Sequence, residues 1–594
     1  MKNIFGKLFL VLVTFLSVSC SQNQENEKDK SIKEVIDGVI TRLYDQVPSD
    51  EFNNVDSDFV LNFITEDEKT TLSTKYQYFK VNVPVTVSVM RYVNQKTIPF
   101  WLKESGFVNT GKKVKNQEYE YEVWQKDFDK GWVNLGINGF EGKRVVYFIS
   151  VGAKNKEDKL EITNIYPSEF PLEVMSKGAY MYNDWDELTI TEFPANLEGN
   201  VLFTTIRGRY TESHIVGGFR KTSYPSSDLP DQILLTWSRD PKNSIDIQWR
   251  TNLEVKEGYT KYWLKGTSDT LVAKAETLVM EDRMLYNDRY INRHTTLLTN
   301  LVSGAKYEYI VGSKANNSWS GVKSFETESK EDDKFSFIWF GDTHKSKKWG
   351  DVLEEAEKRH PNNNFYAIAG DLVSTGLYRS DWDQFFEYSN DAFSQKPLMP
   401  VPGNHDRRFG LGSWMYYDYF SLPKNGPEKV APESTYSFRY GNALFLMIDS
   451  THPMDDQTEW IEDQLKNTDA TWKFAMFHFP PYNFEEPYFD LQKNWIPIFD
   501  KYHVDFVMSG HIHYYMRSKP MYNGEVKESF ADGTIYTVSI GTLSKHDNIG
   551  EEPYAAVRKN YGQIYQHVEI SGKTLDYTTY NKEGKIIDKF HISK

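Results

Sequence analysis

Five times between Phe335 and His513, a short apolar run ends on a cluster of residue types able to bind metals. Phe335–Phe340 leads into Gly341, Asp342, Thr343 and His344, and Phe365–Ala369 leads into Gly370 and Asp371. Leu398–Pro402 leads into Gly403, Asn404, His405 and Asp406. Phe474–Phe477 ends on His478, and Asp505–Met508 leads into Ser509, Gly510, His511, Ile512 and His513. Short apolar runs bounded by turn residues read as buried strands. In an open α/β sheet, ligands sit beyond the carboxyl ends of the strands. Five such ends carrying Asp, His and Asn therefore predict one shared site.

The donor types narrow the cofactor. Asp342, His344, Asp371, Asn404, His478, His511 and His513 offer carboxylate, imidazole and amide groups, which suit Zn, Mn or Fe, and a carboxylate can bridge two ions. No thiolate is among them, so an iron–sulfur cluster is excluded. Of the histidines, all but His214 and His294 lie after residue 330.

In that order, Asp-x-His, Gly-Asp, Gly-Asn-His-Asp, His and Gly-His-x-His resemble the calcineurin-like metallophosphoesterases. The ordered set is specific, although each piece alone is weak. The resemblance runs from about Phe335 to the C-terminus. It implies an αββα sandwich with a two-metal centre, one ion on Asp342, His344, Asp371 and His513, the other on Asp371, Asn404, His478 and His511. It further implies that His405 protonates the leaving-group oxygen and that Asp406 orients the His405 ring. Histidine titrates near neutral pH, and two ions about 3.5–4 Å apart can activate water and clamp an in-line displacement. Arg407 and Arg408 follow, and their planar forks could grip a phosphate. His452 and His546 lie in loops that could reach the site.

The start of the chain reads as an export signal over residues 1–20. Lys2 and Lys7 precede the apolar Leu8–Leu16, which is too short for the about 20 residues a bilayer span needs. Cys20, the sole cysteine, follows small residues and resembles a bacterial lipoprotein acceptor, although Ser17 stands where that box has Leu. The expectation is a lipid anchor on Cys20, a flexible tether over 21–34, and a periplasmic or cell-surface location. One cysteine also means no intramolecular disulfide.

Residues 35–220 read as a β-rich domain of unknown role after a short amphipathic start. Val81, Val83, Val85, Val87 and Val89 alternate as one half-buried strand would. Exposed Tyr and Trp there could stack on sugars or pack within a sandwich. Residues 217–230 form a Gly- and Pro-rich linker. Residues 229–327 read as a smaller sandwich, with Leu301–Tyr309 like a fibronectin-III tyrosine corner. Its place before the metal motifs resembles the N-terminal domain of purple acid phosphatases. In the catalytic domain, 335–594, helices are expected at Lys347–Arg359, Trp382–Phe393, Trp460–Leu465 and Trp495–Tyr502, with a closing hairpin over 562–580. The fold class is thus α/β, an αββα sandwich preceded by two β domains.

Purple acid phosphatases carry Asp-x-Gly first and a Tyr three residues after the second Asp. Here His344 replaces that Gly and Ser374 that Tyr, so the tyrosinate colour of that family is not expected. The leading expectation is an exported metallophosphatase acting on phosphate monoesters. The alternatives are a phosphodiesterase on the same site and a non-catalytic surface-binding lipoprotein. A net charge of -15 argues against nucleic acid as a bulk partner. It does not exclude an anionic phosphate ester, because two divalent ions would dominate the local field.

Overall fold

The computed structural model describes residues 30–143, 145–185, 188–329, 334–407, 410–485, 488–543 and 550–594. The expected leader, Cys20, most of the tether, Arg408 and His546 lie outside the described residues.

Two sheets stack face to face in the C-terminal half. The first has six strands in the order Leu398–Val401, Phe365–Ala369, Lys334–Phe340, Ile564–Ser571, Thr574–Asn581, Ile586–Ser593. Its first three strands are parallel and the rest antiparallel. The second has seven strands, with Ala443–Met447, Trp472–Met476, Phe506–Ser509 and Ile535–Val538 parallel at its centre. Parallel strands covered on both faces must be apolar throughout, and every residue of Phe365–Ala369 and Ala443–Met447 is buried. Between the sheets, Phe337 meets Phe445 and Phe474 edge to face at 5.3 and 5.5 Å.

Helices cover the outer faces. Lys347–Arg359 starts on Ser346, whose side chain caps Lys348 N. Trp349, Val352, Leu353 and Ala356 recur at helical spacing and form its buried face. Trp349 stands edge-on to Phe340 of the first sheet at 6.1 Å. On the other side Ile461, Leu465, Trp495 and Phe499 pack with Leu446 and Val507 of the second sheet. This is the expected αββα arrangement.

Residues 231–326 form two antiparallel sheets, of four and five strands. The Tyr307 hydroxyl accepts the Val302 backbone N–H at 2.9 Å, a tyrosine corner. This sandwich shares one continuous core with the catalytic sheets: Trp237 lies against Phe365, Phe438 and Tyr440. Arg250, itself 1 % exposed, pairs with Asp383 at 2.7 Å on the helix that follows the Asp371 loop. Thr222 and Gln232 donate to the same carboxylate at 2.8 and 2.9 Å.

Several expected boundaries change. The N-terminal unit carries a six-stranded and a three-stranded sheet, but also helices Ile32–Gln46, Ser57–Phe63, Glu66–Thr74 and Phe100–Glu104. The first begins inside the expected tether, because Ser31 and Glu34 form a capping box. Val81 and Val85 do not share a strand: Gln77–Val81 and Val85–Tyr92 belong to different sheets. Pro84 between them has no N–H for a ladder. The helix expected at Trp382–Phe393 is Arg379–Tyr388, since Asn390 and Asp391 take left-handed φ of 47° and 64°. Trp460–Leu465 lies within a longer helix, Asp455–Lys466, and Trp495–Tyr502 is Ile496–Tyr502 after a short Phe489–Asn494 helix. The closing hairpin gains a third strand, Ile586–Ser593.

Candidate metal centre

All seven donor residues stand just past the carboxyl ends of five parallel strands, and their polar atoms meet. His513 Nε2 lies 3.0 Å from Asp342 Oδ2 and 3.3 Å from His344 Nε2. His344 Nε2 is 3.5 Å from Asp342 Oδ2 and 3.7 Å from Asp371 Oδ2. On the other side His478 Nε2 is 3.3 Å from Asp371 Oδ2, 2.9 Å from Asn404 Oδ1 and 3.2 Å from His511 Nδ1. The structure therefore gathers two donor groups with Asp371 facing both.

Local structure aims these atoms. The His478 Nδ1–H donates to the Ala369 carbonyl at 2.8 Å, which turns Nε2 and its lone pair inward. Asp342 Oδ1 accepts the His511 N–H at 2.6 Å, leaving Oδ2 for the cluster. Asp371 Oδ1 likewise accepts the His405 N–H at 2.8 Å. A Cβ on Gly403 would lie 2.3 Å from Asp371 Oδ1, and one on Gly510 2.3 Å from Asp342 Oδ1, so both approaches require glycine. His344, Asp371 and His511 hold left-handed φ of 47°, 52° and 69°. Such strain costs on the order of 1–3 kcal/mol per residue and persists where surroundings enforce it, often at functional sites.

The electrostatics fit cation binding. Burial opposes ionisation of Asp342 and Asp371, yet the imidazoles around them hold both carboxyls well below the usual range. Burial alone would lower His478, but Asp371 outweighs it and raises the ring to about 9. Two buried carboxylates and four histidines that turn their ring nitrogens on one another form a donor set that two divalent cations would satisfy. Three-residue subsets of it, Asp342–His344–His513 and Asp371–His478–His511, each hold their ligand atoms within 4.8 Å of one another. His344, Asp371 and His405 meet the same limit. His405 nevertheless differs from the seven: its Nδ1–H donates to the Ser374 carbonyl at 2.9 Å and its ring stands edge-on to His344 at 4.8 Å. It borders the cluster through that ring.

One expected role is corrected. Asp406 does not orient the His405 ring. Fully buried, it accepts the backbone N–H groups of Leu372, Val373 and Gly403 at 3.2, 3.1 and 2.9 Å, and so clamps the Asp371 loop to the His405 loop. The Arg407 Nη1 donates to the Thr451 carbonyl, on the loop that carries His452. His452 Nε2 lies 3.9 Å from Asp449 Oδ2. The Ser374 hydroxyl donates to the His344 carbonyl at 3.3 Å.

Sequence reading missed the Ser374 carbonyl, because a main-chain acceptor leaves no residue signature. It also missed an aromatic wall: Phe479 stacks on Tyr488 at 5.2 Å and meets His511 edge-on at 4.7 Å. The position of Phe479 directly after His478 was the available hint.

Residues 335–515, which carry this cluster, match the calcineurin-like phosphoesterase family. Residues 230–327 match the purple acid phosphatase N-terminal domain, and this match directly precedes the phosphoesterase one. A Mycobacterium tuberculosis protein described as uncharacterized is 25% identical over 200 residues, 29% of this chain and 37% of that protein. The chain thus spans about a third of that relative. The Fe(3+)-Zn(2+) purple acid phosphatase 12 of Arabidopsis thaliana is 24% identical over 60% of this chain and 82% of its own length. The solved purple acid phosphatase from yellow lupin seeds shares the fold, with a TM-score of 0.55 at 15% identity over 88% of this chain and 91% of its own. Other Arabidopsis relatives are described as probable inactive purple acid phosphatases.

Proposed function

We propose that this chain is an exported two-metal phosphatase that hydrolyses phosphate monoesters, with His405 protonating the leaving group. The convergence of Asp342, His344, Asp371, Asn404, His478, His511 and His513 from five strand ends carries this reading. A pair of cations held by these residues would supply Lewis-acid charge and a water acidified toward neutral pH. Nitrogen and oxygen donors of this kind accept Zn, Fe or Mn.

The chain's own groups do the rest. Asp371 faces both donor groups and can be shared between two cations. Asp406 fixes the backbone that presents Asp371 and His405. His405, held through Nδ1 by Ser374, keeps Nε2 toward the reacting side, where a protonated ring can give up its proton to a departing alkoxide. Burial holds the free ring below its usual pKa, with Asp371 opposing that shift. A phosphate ester brings negative charge that favours the protonated form.

The test compares p-nitrophenyl phosphate with its bis ester, for the metallated wild type and for Asp371→Asn. Turnover of the monoester that disappears in the variant is expected. Faster turnover of the diester would instead assign a phosphodiesterase, and absence of turnover on both would leave the non-catalytic reading. The anchor is tested separately. Cys20→Ser is expected to move the protein from the membrane to the soluble fraction and abolish fatty-acid labelling.

A further inference from the structure

The N-terminal unit bears an aromatic cleft that the catalytic reading does not use. It lies on the outer face of the three-stranded sheet Gly131–Leu135, Gln77–Val81, Ile162–Tyr166. Phe79, Val81, Val133 and Leu135 bury the inner face. Strand alternation then sends Tyr78, Trp132 and Asn134 outward. Tyr78 and Tyr166 are cross-strand partners and stack at 4.9 Å with an 11° angle. Trp132 stands at 64° to Tyr78, 6.1 Å away, as a second wall.

Single exposed aromatics are ordinary. Here Trp132 at 51% and Tyr166 at 41% exposure sit together over a cavity of about 570 Å³, a size typical of small-ligand sites. Ser31, Lys75 and Asn134 complete its rim, and no carboxylate lines it among the described residues. The Trp132 Nε1–H, the Asn134 amide and the Tyr78 and Tyr166 hydroxyls have no hydrogen-bond partner among the described residues.

We propose that this cleft binds a carbohydrate chain. A sugar ring presents a flat C–H face and a periphery of hydroxyls. The electron-rich face of an aromatic ring takes the first. The unpaired neutral donors and acceptors beside the rings take the second. An aliphatic ligand would cover those polar groups without pairing them, which is unfavourable. These uncharged donors and acceptors accommodate neutral sugars. The unit would then hold the phosphatase domain near a glycan.

Calorimetric titration of the full chain with hexasaccharides of β-1,4-glucose, β-1,4-N-acetylglucosamine and α-1,6-mannose tests this. Binding of at least one is expected, weakened tenfold or more by Trp132→Ala and by Tyr166→Ala. Asn134→Ala, which removes no ring, is expected to weaken it less. Thermal midpoint and p-nitrophenyl phosphate turnover should stay unchanged in all three. Absence of binding to every probe, or binding that the variants leave intact, would overturn the proposal. So would Trp132-dependent binding to phosphatidylethanolamine–phosphatidylglycerol vesicles without sugar binding, which would assign the face to a bilayer.

Discussion

The His405 ring is held by the carbonyl of Ser374, at 2.9 Å, and not by the neighbouring carboxylate of Asp406. A backbone carbonyl accepts the Nδ1–H in both charge states of the ring. It fixes the tautomer while adding no negative charge, so the ring is oriented without its acidity being strongly reduced. If His405 supplies the leaving-group proton, His405→Gln should depend on the leaving group. Turnover of an alkyl phosphate should fall by about 10²–10⁴-fold, the usual size of such catalysis. Turnover of p-nitrophenyl phosphate, whose phenolate leaves with little help, should fall far less. Equal losses on both substrates would argue for a binding role.

Gly403 stands where a side chain would strike Asp371 Oδ1 at 2.3 Å. Gly403→Ala must push that carboxylate away from its position between the two donor groups or shift the loop that Asp406 clamps. Overpacking of this kind costs about 1–3 kcal/mol. The expected outcome is loss of bound metal by elemental analysis with only a modest drop in thermal midpoint. Full metal content in the variant would show that Asp371 is not shared.

Ser374 offers a hydroxyl already committed to the His344 carbonyl. With no tyrosinate at that position, the metallated protein should lack strong visible absorption, even when loaded with iron. An absorption spectrum of the iron-loaded protein checks this. A strong band between violet and red would mean that another tyrosine reaches the metals.

His294 supplies a pH dependence remote from the donor cluster. It stacks on Trp249 at 5.2 Å and bonds Thr251 and Thr277 through its two ring nitrogens at 2.8 and 2.9 Å. Burial, aided by the adjacent Arg293, lowers its pKa to about 4. The unfolded chain, with histidine near 6.5, binds the proton more readily than the folded one. Its contribution is therefore complete above about pH 6.5 and is lost as pH falls toward 4, by on the order of 3 kcal/mol. Denaturant midpoints of wild type should fall more steeply across that window than those of His294→Gln. Parallel curves would remove His294 as the cause.

That Asp342, His344, Asp371, Asn404, His478, His511 and His513 would meet was legible in the chain because apolar strand, tight turn and polar residue adjoin in sequence. The helix Lys347–Arg359 was legible too, since its buried face recurs at the helical period and Ser346 caps it. Val81 and Val85 were not separable by pattern, because alternation does not reveal a strand that changes sheets at Pro84.

Local chemistry alone determined which residues can hold cations and which strands must be buried, since both depend on side-chain type and short-range spacing. Three assignments belonged to the tertiary structure: Asp406 clamps loops, Arg407 meets Thr451, and Tyr78, Trp132 and Tyr166 share one open face. Each rests on contacts between segments far apart in the chain, or on main-chain atoms that every residue carries, and neither leaves a mark in residue order.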